Sequence, residues 1–247
     1  MRWLLSNARN RIAFAARNPS YALRSLVREV LLADERFLSS ITGAPARQIR
    51  SFLDEPLESQ SFAECLRKAE EETKKLKVQS ADLYAKKVLV QYAAVRAMCP
   101  DVVVETGVAN GVSSAYLLLA LKKNGRGRLY SVELGDPAYL PAGKPPGWIV
   151  PAELRERWSP LIGDSRELLP GLLKDLGTVD IFIHDSLHTY EQMLWEYRAA
   201  YPFIRPGGLL FSDDAAWNAA FPEFCREAGA KRAAIIRGVG FLKKGAN

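Results

Sequence analysis

From Asp101 onward, short β-rich apolar runs alternate with helical patterns, and that alternation leaves few folds open. The runs are Val102-Val103-Val104, Leu129-Tyr130-Ser131-Val132, Pro160-Leu161-Ile162, Val179-Asp180-Ile181-Phe182-Ile183 and Leu209-Leu210-Phe211. Helical patterns at 115–123, 166–176 and 190–201 lie between them. Strands alternating with helices predict an α/β fold, a doubly wound and mostly parallel sheet with helices on both faces. The chain then changes character. Ala233-Ala234-Ile235-Ile236 and Phe241-Leu242 flank Gly238-Val239-Gly240, which predicts a tight hairpin closing the sheet with an antiparallel edge.

Residues 1–100 read as helices. Asn18-Pro19-Ser20 is a start signal, and Leu23, Leu26, Val27, Val30 and Leu31 form one apolar stripe after it. Pro56 is expected to break the pattern. A charged helix is predicted from Ser61 to Lys77, and a further one from Ala81 to Met98, ending before Pro100. The expected division is an N-terminal helical extension over 1–80, a lid or homo-oligomer contact, and a catalytic domain over 81–247.

Charge follows the same division. The net charge is +6, yet residues 1–50 hold nine Arg, no Lys and three acids, which is +6 by themselves. The remaining residues carry 25 charges of each sign. A neutral body argues against a nucleic-acid binder, whose basic stripe usually lies on the folded surface. An Arg-rich, acid-poor start is also the composition of a mitochondrial transit sequence. Three dispersed cysteines fit neither a disulfide framework nor a zinc motif, and suggest a reducing, cytoplasmic setting. No apolar run reaches the ~18–20 residues of a membrane span.

In an open α/β sheet, ligands bind at the carboxyl ends of the strands. After the first run stands Glu105-Thr106-Gly107-Val108-Ala109-Asn110-Gly111-Val112-Ser113-Ser114. Gly107 and Gly111 permit a tight turn and close approach to a ligand, and the helix start at Ser113 and Ser114 offers free N–H groups. The alternative is a glycine-rich turn that binds nothing. Glu133 ends the second run, where an acid accepts ribose hydroxyls. Gly163-Asp164-Ser165 follows the third. Asp164 suits an adenine amino group or a helix cap, and one side chain can serve both.

Asp185 and His188 follow the fourth run, and Asp213-Asp214 follow the fifth after Pro206-Gly207-Gly208. Adjacent strand ends would gather these three acids, which repel unless a cation or protons intervene; the alternative is that they only cap helices and contact solvent. Hard oxygen ligands without thiolate favour Mg²⁺, Mn²⁺ or Ca²⁺. His188 can reach the same cleft as a base or play a capping role. His184 falls within the strand and is expected to face the packing.

Together these loops resemble the class I S-adenosylmethionine-dependent methyltransferases, in the branch holding small-molecule O-methyltransferases of the macrocin and catechol type and relatives of cephalosporin hydroxylase. The resemblance spans about residues 80–245. It implies a seven-stranded Rossmann-like sheet whose last strand is antiparallel. It implies S-adenosylmethionine at Glu105, Gly107, Asn110, Gly111, Ser113, Ser114, Glu133, Gly163, Asp164 and Ser165. It further implies a divalent metal, Mg²⁺ foremost, on Asp185, Asp213 and Asp214, with Asp185 and His188 catalytic and a small-molecule hydroxyl as acceptor. Two positions depart from the catechol type: Asp214 replaces Asn, and His188 stands where a catalytic Lys is absent. A catechol substrate is therefore not supported. The alternatives are a hydroxylase-like or other non-methylating enzyme on the same fold, or a cofactor-binding protein without catalysis.

Overall fold

The computed structural model describes residues 34–76, 86–136 and 140–245. The Asn18 start signal, the Leu23–Leu31 stripe and residues 81–85 of the predicted helix lie outside the described residues. Four helical segments precede the sheet: α1 (34–42), α2 (Ala46–Glu58), α3 (Gln60–Lys75) and α4 (Lys86–Met98). The alternating region follows as β1 (Val102–Thr106), α5 (Val112–Asn124), β2 (Arg128–Glu133), β3 (Trp158–Ile162), α6 (Ser165–Leu176), β4 (Val179–His184), α7 (Tyr190–Ala200), β5 (Ile204–Ser212), α8 (Ala220–Glu227), β6 (Ala233–Ile236) and β7 (Val239–Lys243).

The seven strands run in the order β3-β2-β1-β4-β5-β7-β6. The first five are parallel, and β7 runs antiparallel to both β5 and β6. The last strand is thus antiparallel as expected, but it inserts beside β5 and leaves β6 at the edge. Its hairpin turns at Arg237-Gly238, both with positive φ (57° and 84°) and with Ile236 opposite Val239. Two left-handed residues give the turn twist that matches paired strands.

Alternation along the strands divides the core. Val103, Ile181, Ile183, Leu209, Phe211 and Phe241 face α1 to α5. Val104, Phe182, Leu210 and Leu242 face α6, α7 and α8. Parallel strands buried on both faces need such continuous apolar runs. Helix α5 is buried nearly all round, from Ser113 to Leu121, as a helix inside a core must be. It stops after Lys122 and Lys123 at Gly125, which takes the left-handed conformation (φ 68°).

Two local expectations are corrected. Pro56 does not break the chain's helix. It lies inside α2, whose last residue is Glu58, so the lost hydrogen bond falls in the final turn. Pro206-Gly207-Gly208 is not a turn ahead of the fifth strand but part of it. The register slips between Val179 and Ile181, which pair with Ile204 and Leu209, and this irregularity absorbs the proline and glycines.

Candidate active site

The carboxyl ends of β1, β4 and β5 converge, because these strands are neighbours and in register there: Thr106 pairs with His184, and His184 with Ser212. Two separate polar systems occupy this edge.

The first is a buried hub at Glu196 of α7. Its Oε2 accepts from Thr106 Oγ1 at 2.5 Å and meets His184 Nδ1 at 2.6 Å. Its Oε1 accepts from Ser165 Oγ and Ser186 Oγ at 2.8 Å and from Gln192 Nε2 at 2.9 Å. Burial alone would raise this carboxyl's pKa, but the donors together hold it below its ordinary value, His184 foremost. The hub joins the ends of β1 and β4 to the first residue of α6. Nothing in the sequence pattern singled out Glu196. Its place on the apolar face of α7 was the available signal, since a fully buried acid must be paired.

The glycine loop is built against protein rather than open space. Gly107 has φ +83°, and a Cβ there would lie 2.0 Å from the Asp185 carbonyl oxygen. Gly111 starts α5 with φ +92°, and a Cβ would meet Gly147 Cα at 2.7 Å. The segment after β2 therefore docks on this loop: Gly147 N donates to Ala109 O (2.8 Å) and Trp148 Nε1 to Asn110 Oδ1 (2.7 Å). Glu133 Oε2 accepts from Val108 N (2.5 Å) and Ala109 N (2.8 Å), and Oε1 from Gly135 N (2.9 Å). Glu133 and the glycine loop thus share one site.

Glu105 does not reach the cleft. It is fully buried and accepts from Ser113 Oγ (2.8 Å), Ser114 Oγ (2.7 Å) and Ser131 Oγ (2.9 Å). Burial outweighs these donors and pushes its pKa up to about 7. Asp164 caps α6, accepting from Arg166 N at 2.8 Å, and Ser165 belongs to the Glu196 hub. Gly163 N donates to Glu133 O at 2.9 Å, linking the ends of β2 and β3.

The second system is acidic. Asp185, His188 and Asp213 each offer a ligand atom within 4.8 Å of the others. Asp214 lies outside that group and approaches His188 Nε2 at 3.9 Å, against 3.7 Å for Asp185 Oδ1. Asp213 N donates to His184 O at 2.8 Å, fixing the acid to the end of β4. Lys87 of α4 adds a cation, its Nζ 2.6 Å from Asp213 Oδ2. Sequence reasoning missed Lys87, which lies 126 positions away. Desolvation, then the negative charge of Asp213, raise Asp185 well above the usual carboxylate range. The same two causes raise Asp214. Desolvation, followed by His184, lowers His188. Asp213 Oδ1 and His188 Nδ1 are buried without a hydrogen-bond partner among the described residues. His184 is fully buried, as its place in the strand predicts.

Residues 104–215 match the family model described as a methyltransferase domain. The chain carries a methyltransferase domain. Demethylmacrocin O-methyltransferase of Streptomyces fradiae is 31% identical over 103 residues, which is 40% of this chain and 22% of that protein. The chain thus matches less than a quarter of that relative's length. The O-methyltransferase TomG from Streptomyces achromogenes, solved with S-adenosylmethionine, superposes with a TM-score of 0.57 at 16% identity, over 74% of this chain and 90% of that one. An O-methyltransferase from Bacillus cereus, solved with S-adenosylhomocysteine, gives 0.55 at 12% identity, over 79% and 100%. These likenesses show the Rossmann-like methyltransferase fold. Among the described residues of the methyltransferase domain and its flanks, no helix is long and apolar enough to cross a membrane.

At the cleft's other end the methyltransferase domain leaves Leu134 and Ile162 exposed, just beyond β2 and at the end of β3. Leu187 and Trp217 are likewise exposed beside the acids, with the Trp217 ring 5.5 Å from that of His188. Sequence reasoning passed over Leu134, Leu187 and Trp217, because a single apolar residue in a loop carries no periodicity.

Proposed function

We propose that this protein is an S-adenosylmethionine-dependent O-methyltransferase that acts on a hydroxyl of a small molecule and uses a divalent cation. The observation that carries the reading is the gathering of Asp185, His188 and Asp213 within 4.8 Å, at the strand end next to the glycine loop. The residues suit both groups. Asp213 Oδ1 is buried without a partner among the described residues, and carboxylate oxygens without thiolate favour Mg²⁺ or Mn²⁺. Asp185 and Asp213 would hold the ion, with Asp214 at its margin. Exposed Leu134 and Ile162 offer apolar faces to a purine, beside Glu133 for the ribose and Asp164 for the adenine edge.

Methyl transfer forms a C–O bond as the C–S bond of the sulfonium breaks, and the hydroxyl proton must leave. The cation, when bound, would lower the pKa of a hydroxyl and fix its direction. His188 would accept the proton at Nε2, the nitrogen facing Asp185 and Asp214. Its depressed pKa keeps it unprotonated near neutrality. Asp185 and Asp214 then stabilise the imidazolium. Thr106, Ser165 and Ser186, tied through Glu196, hold the loops that orient the two reactants. Trp217 and Leu187 would pack an apolar or ring-bearing part of the acceptor.

The test has two stages. Calorimetry with S-adenosylhomocysteine should give saturable binding that Glu133→Ala weakens. Mass spectrometry of pooled hydroxylated small molecules, incubated with S-adenosylmethionine, should show products 14 Da heavier that EDTA suppresses and Mg²⁺ restores. Cofactor binding without any product would favour the non-catalytic alternative. Product formation undiminished by chelator would remove the cation from the reading.

A further inference from the structure

We propose that Lys87 is the resident counter-cation of the Asp185, Asp213 and Asp214 cluster, and that it competes there with the divalent ion. This rests on reading that cluster as a cation site.

Three ionised carboxylates on adjacent strand ends repel, and protons or a cation must relieve that charge. Lys87 meets that need from outside the sheet. It is the second residue of α4, and its Nζ lies 2.6 Å from Asp213 Oδ2. The two partners differ in freedom. The Asp213 side chain is 5% exposed and fixed to β4 through its own backbone, whereas the Lys87 side chain is 39% exposed. A half-open ammonium on a four-carbon stem can withdraw into water, and an arriving dication would take over the neutralisation of the buried Asp213 carboxylate. A group whose role was to orient Asp213 for an ion would instead be enclosed and held by packing or by further hydrogen bonds.

The charge count points the same way. Fully ionised, the three acids would carry −3, and Lys87 would bring the cluster to −2. An arriving dication would have to share Asp213 with an ammonium one carboxylate's width away, and in a partly buried site that repulsion is strong. Removal of the ammonium should therefore raise the cation affinity of the remaining acids. The lysine sits on a helix that packs against α2 and α5, so this contact also couples the helical layer to the state of the cleft.

The experiment uses the full chain and three forms: wild type, Lys87→Met and Lys87→Arg. Mn²⁺ binding is measured by calorimetry at fixed ionic strength, together with the melting temperature with and without Mn²⁺. Lys87→Met is expected to bind Mn²⁺ at least tenfold more tightly and to gain more thermal stabilisation from it, while Lys87→Arg stays near wild type. Weaker binding in Lys87→Met would overturn the proposal and make Lys87 a positioning residue for Asp213. Equal binding in all three forms would also overturn it. If Mn²⁺ binds to none of them, the cluster is not a cation site, and the functional reading of the acids falls as well. Lys87→Gln, read in the same way, guards against a fault of packing peculiar to Met.

Discussion

A carboxyl group without solvent contact is costly to ionise, and Glu105 sits in that position at the end of β1. Three serine hydroxyls donate to it, yet burial still carries its pKa to about 7, against 4.5 for a free glutamate. Between those values the unfolded chain releases the proton and the folded chain keeps it. Stability from this group is therefore full below pH about 4.5 and is lost as pH rises to about 7, amounting to roughly 3 kcal/mol across the window. Glu105→Gln should flatten that part of the profile, and chemical denaturation from pH 4.5 to 8 would measure it. Parallel profiles for the two proteins would contradict the assignment. His188 makes a different residue-level prediction. If its Nε2 receives the substrate proton, His188→Ala should leave S-adenosylhomocysteine affinity intact and lower turnover by about 10²–10⁴-fold. An unchanged kcat would return the imidazole to a packing role beside Trp217.

Between residues and the whole molecule, the loops are the working elements, and they are held by one another more than by their own sequences. Gly107 illustrates this. Its glycine is required because the backbone of Asp185 passes where a Cβ would lie, 2.0 Å from the carbonyl oxygen, and because φ is +83°. Gly107→Ala should cost about 2–4 kcal/mol in urea unfolding and should weaken Mn²⁺ binding as well, since the displaced segment carries Asp185. Loss of stability with cation affinity unchanged would separate the two loops. The same element explains what could be read in advance. A helix start was legible where the signal is local: Asp164 caps α6 by accepting from Arg166 N at 2.8 Å. The mostly parallel sheet and the meeting of Asp185 with Asp213 at adjacent strand ends followed from the alternation, because ligands collect at strand ends. Glu196 and Lys87 did not follow. Apart from Gln192 on the same helix, their partners lie from 10 to 126 positions away and outside their own helices, and no periodicity records a contact between elements. For Glu105 the motif was legible, but its three serines, drawn from α5 and β2, turn it inward.

At the scale of the molecule, the helices before the sheet are part of its core. Leu38 and Ile41 of α1, Ile49 and Phe52 of α2, and Phe62 and Leu66 of α3 share one buried cluster with Val103, Ile181, Phe211 and Phe241 of the sheet. Polar ties run alongside. Arg96 of α4 donates to Glu55 of α2 at 2.6 and 2.9 Å, Lys243 Nζ to Ile41 O at 2.6 Å, and Arg237 Nε to Asp34 at 2.9 Å. A removable lid would leave the sheet covered when it departs. Here α1 to α3 stand over the face that α6 to α8 do not cover, and their removal would put large apolar side chains into water at about 25 cal/mol per Å². A chain beginning at residue 81 is therefore expected to lose its cooperative thermal transition and to bind a hydrophobic dye such as ANS. The full chain should melt in one step that includes the N-terminal helices, as hydrogen exchange in α2 at the rate of global unfolding would show. A truncated protein that stays soluble and melts within a few degrees of the full chain would mean that the sheet can close that face without them.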